Sequence, residues 1–122
     1  MAWDANFYVT VSGRKPVARF LIDLPVRARA KCAQYIKMLE EHGFKLPKQY
    51  LEKVRGELWA LRPEFAGNEY RIIFYFDSNS GAFVVLHAIH KTSQRIPRDD
   101  IDTAENRMDD WLVREAGKKE SK

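Results

Sequence analysis

Cysteine is almost missing from the chain. Cys32 stands alone among 122 residues, so no intrachain disulfide can form, and one chain has too few thiolates for a cysteine-based zinc site or an iron-sulfur cluster. Cys32 is read as core on a helix rather than as a reactive thiol. No apolar run approaches the length of a bilayer-spanning helix, and the amino terminus lacks the basic segment followed by an apolar stretch that marks a secretory signal. Internal repeats and low-complexity blocks are also missing. These absences point to a protein of the reducing cytoplasm with no membrane partner, and no metal or other cofactor is expected.

The residues that are present can build one core. Apolar types make up 45% of the chain and charged types 31%, a balance that separates it from disordered sequences, and its length suits one domain rather than two. We expect a single domain over residues 1–114 and a flexible tail over 115–122. The net charge of +4 is unevenly divided: residues 1–98 carry sixteen bases against nine acids, and residues 99–122 carry five bases against eight acids. The body is basic and the last segment acidic.

Periodicity predicts an α+β domain with an antiparallel-rich central sheet and two early helices on one side of it. NFYVTV at 6–11 reads as a strand ended by Ser12-Gly13. Pro16 suits a first helical turn, with Val17, Phe20, Leu21 and Leu24 on one stripe. Pro25 restarts a second helix whose stripe is Cys32, Ile36 and Leu39 and whose C-cap is Gly43. After a less regular segment containing Pro47, ELWAL, YRIIFYF and AFVVLHAIH read as a three-strand meander, because the loops between them are too short for crossover helices. A last helix follows Pro97, with Asp99 and Asp100 at its start and Ile101, Ala104, Met108 and Trp111 as its packing stripe.

The segment HAIHKTSQRIP at 87–97 holds two histidines, a lysine and an arginine and no acid. The two-residue period of a strand puts His87 in a row with Phe83, Val85 and Ile89, and His90 with Val84, Leu86 and Ala88. Each histidine is either a satisfied structural group or a functional one. Arg71 occupies a strand position between Tyr70 and Ile72, and a hairpin closing near 63–68 brings Arg62 toward it. Arg62, Arg71, Lys91 and Arg95 together form a basic patch able to hold successive phosphates, with Tyr70 or Tyr75 available to stack on a base. On these residues alone, binding of RNA or another polyanion competes with a protein-interaction or structural role.

The order of three blocks narrows this choice. ELWALR at 57–62, GNEYRIIFYF at 67–76 and VVLHAIHKTSQRIPRDDI at 84–101 resemble the RelE/HigB family of bacterial toxins, particularly its branch related to phage-derived proteins. The similarity covers about residues 5–111. Trp59, Leu61, Arg62, Tyr70, Arg71, His87 and Lys91 match that branch. Ala60 replaces its acid, Ala88 and Ile89 replace a glycine and a phenylalanine, and Thr92 replaces the second residue of a lysine pair.

What the resemblance implies is a ribosome-dependent endoribonuclease that cleaves messenger RNA in the A site of the 70S ribosome. A separately encoded antitoxin would neutralise it, and DNA would be contacted only through that partner. In such a reaction the RNA 2′-OH attacks the adjacent phosphorus, which demands in-line geometry, stabilisation of added charge and proton transfer, and requires no metal. The expected catalytic set is Arg71, His87, His90 and Lys91, with Arg71 clamping the phosphate and either histidine moving a proton. Arg62, Tyr70 and Arg95 are the expected RNA contacts.

Overall fold

Where the sequence gives up alternation for a 3.6-residue stripe, helices form. The computed structural model describes residues 2–120. Pro16 opens helix α1 (Pro16–Ile22), and Pro25 is the N-cap of helix α2 (Val26–His42). Val17, Leu21, Ala28, Cys32, Ile36 and Leu39 are buried beneath this pair. Gly43 ends α2 with a positive φ of 57° and donates its N–H to the Leu39 carbonyl. A side chain there would be strained by the backbone and would meet the Trp3 ring, since a Cβ would lie 2.9 Å from it.

Six strands make one sheet: β1 (Ala5–Phe7), β2 (Leu51–Arg55), β3 (Leu58–Leu61), β4 (Glu64–Phe65), β5 (Asn68–Asp77) and β6 (Ala82–Lys91). The order is β1-β6-β5-β3-β2, with the short β4 paired to β5. Only β1 runs parallel to its neighbour, and the remaining pairs are antiparallel. Helix α3 (Arg98–Glu120) closes the chain. Helices α1 and α2 cover one face of the sheet and α3 the other, so each face has its own buried cluster. The α+β architecture, the early helix pair, the meander and the Gly43 cap are therefore present as the sequence predicts.

Four details differ. The segment after Pro47 is not irregular throughout: β2 forms there as an edge strand, and its charged Glu52, Lys53 and Arg55 conceal it from an apolar pattern search. The turn-rich segment before β5 contains β4, which returns through Ala66 and Gly67, both at positive φ, as a two-residue hairpin. The first strand stops at Phe7 rather than Val11. Tyr8 still bonds to the Val85 carbonyl, but its partner strand then bulges, and the Val9 carbonyl is taken by Arg114 from α3.

That bulge is the fourth difference. Ile73 pairs with His87 while Phe74 pairs with Val85, leaving Leu86 as an extra residue in β6. A bulge shifts the alternation by one position. His87 consequently leaves the row of Phe83 and Val85, where strict alternation puts it, and turns toward α3. Helix α3 runs to Glu120, and residues 121 and 122 of the expected tail lie outside the described residues. Among the described residues no helix is long and apolar enough to cross a membrane.

Candidate functional site

The carboxyl end of β6 and the amino end of β5 lie side by side, with Lys91 opposite Glu69, His90 opposite Tyr70 and Ile89 opposite Arg71. The β3–β5 register, with Leu61 opposite Ile72, carries Arg62 toward Arg71 in the following row. Two like charges facing each other across strands repel. Two acids keep them together.

Arg71 is only 3% exposed. Its Nε donates to Glu52 on β2, its Nη2 donates to Glu69 at 3.2 Å, and its Nη1 donates to the Tyr70 carbonyl at 2.9 Å. The same Glu52 oxygen lies 3.9 Å from Arg62, and the same Glu69 oxygen lies 3.8 Å from Lys91. The hydrogen bond from Arg71, helped by the nearby Lys91, holds the Glu69 carboxyl below its ordinary range. Three cations thus share two carboxylates, and local charge stays positive.

The remaining expected residues fall on different sides of this cluster. His90, Lys91 and Thr92 line an open depression of about 850 Å³ together with Gly67, Asn68 and Glu69. His90 is exposed, and its ring lies 5.2 Å from that of Tyr70. Tyr70 itself is buried against Phe20 in the core beneath α1. Arg95 sits in the loop after β6 and borders a second depression with Glu52 and Lys53. Tyr75 is buried in the cluster beneath α3.

His87 is removed from both depressions. Its Nε2 meets Asp100 at 2.7 Å, and its Nδ1 lies 3.0 Å from Arg107 Nη1. Arg107 can only donate, so Nδ1 accepts and Nε2–H donates, which is the neutral imidazole. Burial lowers the His87 pKa, and the repulsion from Arg107 adds to that effect against the opposing pull of Asp100. Arg107 also donates to the Leu86 carbonyl at 2.9 Å, satisfying the bulged residue.

Glu52, Glu69 and Asp100 escape a reading that follows basic residues alone, and Arg107 escapes one confined to the bases at 62–95. Glu69, beside the Tyr70-Arg71 pair, was accessible as an acid flanking a buried base. Arg107 adjoins Met108 on the packing stripe of α3, which was a signal of its inward reach. Glu52 depends on the pairing of β2, and no local pattern announces that.

A small α+β domain with its helices divided between the two sheet faces, and with a basic cluster at one end of the sheet, is the class that fold and site define. Residues 19–109 match the family described as Phage derived protein Gp49-like (DUF891), and the chain belongs to that family. No match was found among curated proteins.

Proposed function

We propose that this protein is a ribosome-dependent mRNA endoribonuclease of the RelE/HigB toxin type, acting in the cytoplasm and neutralised by a separately encoded antitoxin. The observation that carries the reading is the juxtaposition of exposed His90 with Lys91 on the wall of one open depression, backed by Arg71 through Glu69. The ordered resemblance of the blocks at 57–62, 67–76 and 84–101 supports it further.

In this reading an RNA phosphate enters beside Lys91 and competes with Glu69 for both Lys91 and Arg71. The 2′-OH attacks the adjacent phosphorus, its proton is removed, and the departing 5′ oxygen is protonated. The products are a 2′,3′-cyclic phosphate and a 5′-hydroxyl. His90 is the histidine with access to move these protons, whereas both nitrogens of His87 are engaged by Asp100 and Arg107. Cationic side chains stabilise the added charge on the phosphate, and the ribosome supplies in-line geometry. Arg62 and Arg95 extend the basic path.

Purified protein should cut a translating message at discrete places, leaving those two end types, and should leave the same free RNA largely intact. His90→Ala should lower the cleavage rate by about 10²–10⁴-fold without changing thermal stability. If active ribosomes show no protein-dependent breaks over several messages, or His90→Ala cleaves at full rate, the reading fails.

The engagement of Arg71 by two carboxylates favours one alternative, an RNA-binding or protein-interaction module of the same fold without catalytic activity. Ribosome binding with intact messages is its signature.

A further inference from the structure

A second positive site lies away from the depression at His90. Thr10, Arg14, Lys15, Pro16, Arg19 and Arg107 surround a concavity of about 510 Å³ between the β1–α1 loop and α3. Four of these six residues are cations and none is an acid. Among the described residues no carboxylate lies within ion-pair distance of Arg14, Lys15 or Arg107, and Arg19 reaches only Asp23, at 3.5 Å in an exposed pair.

Two features make this a shaped site rather than a solvated charge patch. The loop is pinned: Thr10 N–H donates to the Arg14 carbonyl at 2.8 Å, Arg14 N–H donates to the Thr10 hydroxyl at 2.9 Å, and Gly13 N–H donates to the Thr10 carbonyl at 2.9 Å. Arg107 is fixed from the other side. Its Nη1 bonds to the Leu86 carbonyl and to His87, and its guanidinium lies 5.7 Å from the centre of the Tyr8 ring. Those contacts use the donors of Nη1 and leave Nε–H and both Nη2 hydrogens of the planar fork for another acceptor. A half-buried guanidinium with no anion partner carries an unfavourable desolvation that an arriving anion offsets.

We infer that this concavity binds a phosphate group, with Arg107 as its fixed anchor and Arg14, Lys15 and Arg19 as its mobile rim. A tetrahedral anion with several acceptor oxygens suits one oriented fork surrounded by flexible cations. An RNA strand is the carrier to which the proposed function points, and β6 links the two sites, since Arg107 contacts His87 on the α3 face three residues from His90 on the other. The choice of RNA as carrier rests on the proposed function; the phosphate chemistry does not.

The test uses the whole protein without ribosomes, so its outcome is independent of cleavage. Inorganic phosphate and a short oligouridine RNA are titrated separately while the backbone amides of Thr10 and Arg14 and the Arg107 Nε–H are followed by NMR. Both ligands should shift these resonances, and phosphate should displace the RNA from them. Combining Arg14→Ser, Lys15→Ser and Arg19→Ser, all at exposed positions, should weaken RNA binding by about tenfold or more and flatten its salt dependence. Arg107→Lys should retain the fold and charge yet weaken phosphate binding, because a single ammonium cannot reproduce the fork. Shifts with phosphate alone would overturn RNA as the carrier and leave a site for small phosphate compounds. Absence of shifts with both ligands, or unchanged shifts in the triple variant, would overturn the site itself.

Discussion

On the α1/α2 face of the sheet, Leu39, Leu61, Ile72, Phe74, Phe83 and Val85 are buried among one another, and further aromatic rings extend the cluster. Phe44 contacts Trp59, Phe74, Phe76 and Phe83 at ring separations of 5.2, 6.1, 6.4 and 5.4 Å. The α3 face has the smaller apolar cluster, of which Ile73, Tyr75, Val84 and Leu86 are sheet members, and it is laced with ionic contacts. Tyr8 donates to Asp110 at 2.6 Å, Arg55 reaches Asp102 and Glu105, and Asp100 holds His87. Burial of apolar area is indifferent to ordinary salt and pH, whereas charge pairing is not. One layer therefore provides nonspecific cohesion, and the other responds to the solution around it.

Truncation in the apolar layer should have the largest effect. Phe74→Ala should cost about 3–5 kcal/mol, measured by urea unfolding, with the same loss at low and high salt. A strongly salt-dependent loss would break the contrast between the faces.

Arg71→Ala should follow, at about 1.5–3 kcal/mol, because it strips Glu52 and Glu69 of a buried donor while both acids retain some access to water. Urea unfolding at several salt concentrations checks this. Any fall in RNA cleavage by this variant has to be compared with its folded fraction, since the Arg71 side chain ties β5 to β2 before it meets a substrate.

Between pH 7 and 5, acid should then act through His87 on the α3 face. Burial keeps His87 below its ordinary value of 6.5, so the unfolded chain takes up a proton at higher pH than the native one. The stability held by neutral His87 is complete above about pH 6.5 and is lost as pH falls through the depressed native value. Thermal unfolding between pH 7 and 5 should reveal the decline, and His87→Gln should flatten that part of the curve. An equal decline in His87→Gln would assign the effect elsewhere.

Arg55→Ala should have the smallest effect. Its ion pairs with α3 are open to solvent, and added salt should erase most of the difference in melting temperature from the wild type. A difference that persists in high salt would indicate packing by the arginine stem instead.

Legibility in the sequence followed the same division. Alternating or continuous apolar segments at 58–61, 70–76 and 82–90 announced the central strands, and the stripes of α1, α2 and α3 announced the layers. β2 stayed hidden because an edge strand with Glu52, Lys53 and Arg55 carries little apolar signal. The basic cluster was visible as separate bases with Glu69 beside one of them, but Glu52 was not, since it reaches Arg71 only after β2 and β3 pair. The side on which His87 lies was illegible for a sharper reason: an extra residue at Leu86 reverses the alternation, and nothing in VVLHA marks the insertion.

Cys32 lies wholly buried between α2 and the sheet, where loss of water pushes its thiol up to about 11. The thiolate is the form that attacks a thiol reagent, so the native molecule is silent to it. Each covalent label that does attach records one departure of α2 from its seat. The lone thiol thereby serves as a clock for the breathing of the apolar layer, readable by mass in the unaltered chain.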